Sequence, residues 1–266
     1  LLIGRIEKTH LPCKIGYKIL FNPEVKIFSV IYKGYIGDHS KEIMSLLTGA
    51  LKKDLKVKKY EAIYFNKLFT EDVFYQQIRT TNGIYKTLLN QRSIHWQMKV
   101  PFTIDDFYKA RSKKHRANLK RAIRKLEREF AVSVASYNDN PEEFIPKAAK
   151  ISSKTYQYKL GCGFINNSQT QNLLNIAANK KWLTCCILSI NGEPAAFQLG
   201  YKYTNTFHLE QIGFDPKWSD YNVGNILFIK VLEELCKDKK IKYMDFGFGD
   251  ADYKKSYGNQ SWQEES

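Results

Sequence analysis

FHLEQIGFDP (residues 207–216), YNVGNILFIKVLEELCKDKK (221–240), IKYMDFGFGD (241–250) and ADYKKSYG (251–258) follow closely on one another near the end of this 266-residue chain. The first alternates apolar and polar positions and predicts a strand. The second sets Ile226, Leu227, Ile229, Val231, Leu232 and Leu235 at helical spacing, and predicts a helix entered through a loop at Gly224. The third returns to strand and the fourth opens another helix. A strand that passes through a short loop into a helix leaves the first helical N–H groups without carbonyl partners, which is the local physics of an anion cradle.

Upstream, 183–190 and 194–203 predict strands joined at Asn191 and Gly192, a strong hairpin signal, and a second turn at Thr204 and Asn205 leads into 206–214. Three antiparallel strands therefore feed the segment just quoted. Before them, a helix is predicted from Thr103 to about Glu129, a strand over 131–137, a helix opening at Asn140-Pro141, a polar-aromatic stretch over 151–164 with Tyr156 and Tyr158, and a helix over 168–179. In the N-terminal half, 15–20 and 25–36 alternate like the arms of a hairpin, a helix spans about 40–55, 60–65 returns to strand, and 70–80 predicts a short helix. The order of 28–36, 40–55 and 59–65 repeats that of 207–214, 222–237 and 242–246, about 180 residues apart. Two copies of one α/β (α+β) domain are expected, 1–101 and 102–266, each a mixed central sheet flanked by helices.

The chain carries 42 Lys and Arg against 27 Asp and Glu, a net charge of +15. Such a balance favours phosphate-rich partners or an anionic membrane surface. Ten of the cations fall between Lys109 and Arg128, against the single acid Glu127. That run reads equally as a solvated helix face or as a phosphate-contact surface for transfer RNA, a nucleotide-linked substrate or lipid head groups. Five cysteines without metal-type spacing fit buried thiols in a reducing cytoplasm, and no metal site is expected. No run reaches the ~20 apolar residues of a spanning helix, so a cytoplasmic protein, with peripheral membrane association left open, is expected.

The motif order Gly213-Phe214-Asp215-Pro216, Tyr221-x-x-Gly224, Tyr243-Met244-Asp245-Phe246-Gly247-x-Gly249-Asp250 and Tyr253-Lys254-x-x-Tyr257-Gly258 resembles the CelD-like branch of the GNAT acyltransferases, associated with polysaccharide synthesis. It also resembles the Fem-type aminoacyl transferases of cell-wall assembly, which carry F-K-x-x-F-G in place of the last motif. The likeness covers 102–260 well and 1–100 in outline. It implies tandem GNAT-like domains, the second catalytic, that move an acyl group from acetyl-coenzyme A or another acyl-coenzyme A to a primary amine such as an amino sugar. It also implies that Ile212, Gly213 and Phe214 at the strand exit, with Ser219, Asn222, Val223, Gly224 and Asn225, hold the coenzyme. Ser219 stands where the GNAT loop has Gln or Arg, and Asn222 where it has its first glycine. A Fem-type donor, aminoacyl-tRNA, is the alternative, and a non-catalytic RNA- or membrane-binding protein on the same scaffold is a third.

Acyl transfer to an amine needs a base for the amine, donors for the carbonyl oxygen and a proton for the leaving thiolate. Glu210 is the candidate base, sharing a strand face with His208 and Ile212, although a solvent-facing strand glutamate looks the same in sequence. The resemblance implies Tyr253 as the acid, with Tyr257 behind it, and sets Lys254 toward the substrate as a phosphate or oxyanion partner. Asp245, Asp250 and Asp252 suit either the orientation of these groups or ordinary turns. Dehydrogenase, NTPase and serine-hydrolase motifs are missing.

Overall fold

The computed structural model describes residues 1–11, 13–15, 18–83 and 92–266. It contains two compact units. Leu1–His95, Phe248–Asp250 and Ser261–Ser266 make the first, and Trp96–Gly247 with Ala251–Gln260 make the second.

The first unit holds β1 (Leu2–His10), β2 (Cys13–Ile15), β3 (Lys18–Phe21), β4 (Glu24–Tyr35), α1 (Lys41–Lys56), β5 (Ala62–Phe65), β6 (Leu68–Phe69) and α2 (Val73–Thr80). Its sheet runs β1-β4-β5, antiparallel between β1 and β4 and parallel between β4 and β5. Met44 and Leu51 of α1 and Phe74 of α2 bury against Phe28, Ile63 and Phe65 of that sheet. Asp72 caps α2 through the N–H of Phe74, so the helix starts three residues later than the sequence predicts. The antiparallel partner of β4 is β1, not the predicted 15–20 strand; β3 pairs with β2 instead, and residues 16 and 17 lie outside the described residues. A register shift between Leu2 and Gly4 breaks the alternation of β1 and hides it from a period-2 search.

β7 (Ser93–Lys99) carries the chain into the second unit. There follow α3 (Ile104–Lys109), α4 (Lys113–Glu129), β8 (Val132–Ser136), α5 (Pro141–Ser152), α6 (Tyr156–Lys159), α7 (Ser168–Asn179), β9 (Leu183–Ile190), β10 (Glu193–Tyr203), β11 (Thr206–Phe214), a 3-10 helix (Pro216–Tyr221), α8 (Val223–Lys237), β12 (Tyr243–Phe248), α9 (Asp252–Tyr257) and β13 (Gln260–Glu265). The strands lie in the order β12-β11-β10-β9-β8. All of these pairs are antiparallel except β11 and β12. Val223, Ile226, Leu227, Phe228, Val231, Leu232 and Leu235 bury almost the whole circumference of α8 between one face of this sheet and the helices α3 and α4. Phe144, Ile151, Leu174 and Phe164 cover the other face through Ile187, Phe197 and Leu199. Both units thus carry a mixed sheet flanked by helices, with the same strand, helix and parallel strand at the centre. Among the described residues no helix is long and apolar enough to cross a membrane.

The predicted helix from Thr103 to Glu129 is two helices. Thr103 and Asp106 form a capping box at α3, and Ser112 accepts from the N–H of His115 to start α4 anew. Arg111, at the break, lays its guanidinium 4.4 Å from the Phe107 ring and donates to the Tyr257 carbonyl at 3.1 Å. The boundary between the units falls after His95 and not at 101, and residues 261–266 return to the first unit. There β13 pairs with β6, and Glu264 and Glu265 meet Tyr32, His95, Tyr75 and Arg92.

Candidate active site

The parallel pairing of β11 with β12 covers Thr206↔Tyr243, Phe207↔Met244 and His208↔Asp245 and then stops, while β11 continues to Phe214. On its other edge β11 carries a bulge, for Leu199 pairs with Gln211 and Gly200 with Leu209, leaving Glu210 as the extra residue. Bulges re-aim side chains and recur beside active sites. Here the bulge brings Glu210 and Gln211 together on a cavity of about 170 Å³, with Ser152, Thr155, Phe164 and Phe197 among its walls. Glu210 is exposed at this cavity, and Gln211 Oε1 is buried with no donor among the described residues. Gln157 of α6 reaches the cavity, whereas Tyr156 and Tyr158 of the same polar-aromatic stretch are exposed. A wider depression of about 550 Å³ beside Lys41, Glu42 and Gln77 in the first unit is open to solvent, and we place no chemistry there.

At the far end of β11, Asp215 fixes the turn. Its side chain accepts from the Lys217 N–H at 3.1 Å and from Lys154 Nζ at 2.6 Å. Burial works against the charge on Asp215, but these bonds outweigh it and hold the carboxyl below the usual range. The 3-10 helix ends at Asn222 in the left-handed conformation (φ 54°), and α8 begins without a side-chain cap. The N–H groups of Val223, Gly224 and Asn225 therefore open the helix at its positive dipole end without a capping side chain. Gly224 has room beside it: an added Cβ would meet one atom, Phe214 Cδ1, at 3.4 Å. Ile212, Phe214, Ser219 and Asn222 are exposed around this entry. Gly213 lies instead against the Phe197 ring, 2.4 Å from where a Cβ would stand. Phe130, Trp218 and Tyr221 pack edge to face below the loop, and Lys125 of α4 sits 4.3 Å from the Tyr221 ring centre. Cations of α4 thus flank the same helix start.

The third part is α9. Tyr253 packs against Phe246, and burial pushes its phenol up to about 12. Tyr257 is buried and stacked on Phe228 at 4.4 Å, which makes it a core residue. Burial lowers the pKa of Lys254, and the nearby Asp245 carboxylate partly restores it. Asp245 is itself buried, with Oδ1 accepting from the Gly247 N–H at 2.7 Å and Oδ2 3.6 Å from His208 Nδ1. Glu210 thus belongs to the middle of β11, the open helix start to α8, and the Tyr253-Lys254 pair to α9, where Tyr253 packs on Phe246 and Lys254 lies within the charge of Asp245. Asp250 lies in the first unit, and Asp252 opens α9. Gln211 was not legible as a cavity residue, because a bulge position leaves no mark in a strand pattern, and Ser152 and Thr155 were not, because they reach the cavity only once α5 packs on β11.

A profile of the acetyltransferase (GNAT) domain family matches residues 113–255. No curated protein matches the chain in sequence. Among solved structures, FemX superposes on 98% of this chain and 86% of its own at 10% identity, with a TM-score of 0.60. The C-terminal domain of a protein described as a lysylphosphatidylglycerol synthetase, from Agrobacterium fabrum, does so over 91% and 78% at 9% identity and 0.56. L-PGS from Bacillus licheniformis matches over 91% and 80% at 16% identity and 0.54. At these identities the likeness is one of fold.

Proposed function

The chain belongs to the acetyltransferase (GNAT) family and is an N-acyltransferase; from that premise we propose that it moves an acyl group, most simply acetyl, from acyl-coenzyme A to a primary amine. The observation that carries this reading is the layout of β11. Four residues, about 13 Å of strand, separate Glu210 at the bulge from Phe214 beside the open start of α8. A donor held by its phosphates at Val223, Gly224 and Asn225, with Ile212, Phe214, Ser219 and Asn222 around it, would extend along the parted strands toward Glu210.

On the acceptor side, two oxygen acceptors, the Glu210 carboxylate and Gln211 Oε1, suit an ammonium group, and Phe164 and Phe197 suit the apolar part behind it. Glu210 takes a proton from the ammonium, directly or through water. The neutral nitrogen then bonds to the thioester carbonyl carbon, the carbon–sulfur bond breaks, and the nitrogen gives up its second proton to water as the departing thiolate takes one from water. Tyr253, with a phenol near 12, lies about 3.5 units above a free thiol, so full proton transfer to the thiolate is uphill by about 5 kcal/mol. Its role is the weaker one of hydrogen-bond donor to the departing sulfur, with water supplying the proton. Lys254 stabilises the developing oxyanion or a donor phosphate. The motif order supports an amino sugar of a surface polysaccharide as acceptor.

A second donor, aminoacyl-tRNA, is favoured by α4, whose Lys113, Lys114, Lys120, Arg121, Arg124, Lys125 and Arg128 are all exposed. Calorimetry with acetyl-coenzyme A and with charged tRNA separates the two. Heat from the coenzyme that is lost in Gly224→Val supports the first reading. Steeply salt-dependent tRNA binding without coenzyme heat replaces it with the second.

A further inference from the structure

His208 has no part in the chemistry described so far, yet its surroundings are specific. In the sheet it stands directly across from Asp245 at the last parallel pair, where β11 and β12 separate. Phe207 and Leu209, on either side of it, bury into the α8 core, so His208 leaves the strand on the opposite face. Glu210, at the bulge, is about 7 Å along the strand, and its charge reaches Tyr201, which stands across from His208. The His208 side chain is 43% exposed while that of Asp245 is 5% exposed, so the imidazole lies between solvent and a buried carboxylate. That carboxylate cannot easily turn, because the Gly247 N–H holds its other oxygen.

We propose that His208, oriented by Asp245, is a second proton station on the acceptor face: it takes over the proton that the acceptor ammonium gives to Glu210 and releases it to water. The step balances. One N–H bond of the ammonium breaks, the proton passes through the Glu210 carboxylate to Nε2 of a neutral imidazole, and the resulting imidazolium returns it to solvent before the next turnover. With Nδ1 turned toward Asp245, Nε2 is the exchanging atom. Reference values put an imidazole about two units nearer to an alkylammonium than a carboxylate is, so holding the proton there is about a hundredfold easier. Asp245 favours the imidazolium and also fixes the ring, the role of the third member in a nucleophile, base and orienter set.

Other charged or titratable groups face this pair among the described residues. Tyr201 of β10 lies across from His208, and burial followed by the Glu210 charge pushes its phenol up to about 12, so it stays neutral. Lys254 of α9 also interacts with Asp245 and competes with His208 for it.

The proposal rests on the acyl-transfer reading, but its first test needs no substrate. Imidazole NMR of the full chain across pH 5–9 should show the His208 midpoint falling in Asp245→Asn, by threefold or more in acid constant, with the amide spectrum otherwise retained. An unchanged midpoint overturns the pairing. Should Asp245→Asn fail to fold, His208→Gln decides. With a primary amine of pKa near 8 and acetyl-coenzyme A, its kcat/KM should drop about tenfold near pH 6.5–7 and recover above pH 9, where that amine is already neutral, at unchanged coenzyme affinity. A wild-type pH profile in His208→Gln overturns the proton station. A wild-type chain inactive on every amine defeats the acyl-transfer reading instead, and the NMR midpoint still judges the His208–Asp245 pair.

Discussion

Gly224 and Gly213 stand eleven residues apart in one motif and respond to opposite demands. A side chain at Gly224 meets little of the protein itself, since its nearest atom is Phe214 Cδ1 at 3.4 Å. Gly224→Val is therefore expected to keep its melting temperature within a few degrees and to weaken coenzyme binding at least tenfold by calorimetry, because the methyls enter the space an anion needs. Gly213→Ala is expected to do the reverse. Its Cβ would stand 2.4 Å from the Phe197 ring, and such overpacking costs about 1–3 kcal/mol in urea unfolding. At the reacting groups, Glu210→Gln should lower kcat about 10²-fold or more with coenzyme affinity intact. Tyr253→Phe should lower it less, since a hydrogen bond and not a proton is lost. If both retain full turnover in a steady-state assay, the residue assignments fail even though the family stands.

The elements divide into those whose patterns are local and those that tertiary contacts decide. The start of α8 was legible because a helix with apolar residues on nearly every side, preceded by Asn222 and with Gly224 in its first turn, has few other solutions. The hairpin at Asn191 and Gly192 was legible for the same reason of local turn chemistry. The break between α3 and α4 was not, because Ser112 and Arg111 look like any polar helix residues until Tyr257 supplies a carbonyl for the guanidinium. Nor was the bulge that exposes Glu210, since it is a property of two strands together. The exposed face of α4 carries a prediction of its own. Its seven cations run together, with Glu127 engaged by Lys230 and Glu129 by Tyr221 at the flanks. Like charges three and four apart cost a helix a few tenths of a kcal/mol each. Replacing by Glu both Arg121, which stands three and four residues from Arg124 and Lys125, and Lys114, in the first turn where an acid suits the helix dipole, should therefore leave thermal stability equal or higher. If α4 grips a polyphosphate partner, the same variant should lose that binding, and the wild-type log K should fall with log salt at a slope on the order of −5 to −6.

At the scale of the whole chain, the first unit depends on residues that come last. Glu264 is buried, and Oε1 accepts from Tyr32 and Trp262 at 2.7 and 2.8 Å and lies 3.1 Å from His95 Nδ1. Burial opposes its charge, yet these donors hold its carboxyl below the usual range. Glu265 is held low mainly by the Tyr75 hydroxyl and by Arg92. Folded values below unfolded ones mean stabilisation that is fully present above about pH 4.3, the reference for glutamate, and lost as pH falls through the folded values. Melting temperature should therefore be flat from pH 5 to 7 and decline steeply below 4.3, and Glu264→Gln should cost about 1.5–3 kcal/mol at pH 7 by urea unfolding. The same strand implies an order of events during synthesis. Between His95 and Ser261 lie residues 96–260, which a ribosome adds in roughly 10–30 s. For that interval the segment up to His95 lacks the carboxylates that close its unit, so it is a stretch that needs a chaperone's cover until residues 261–266 follow it.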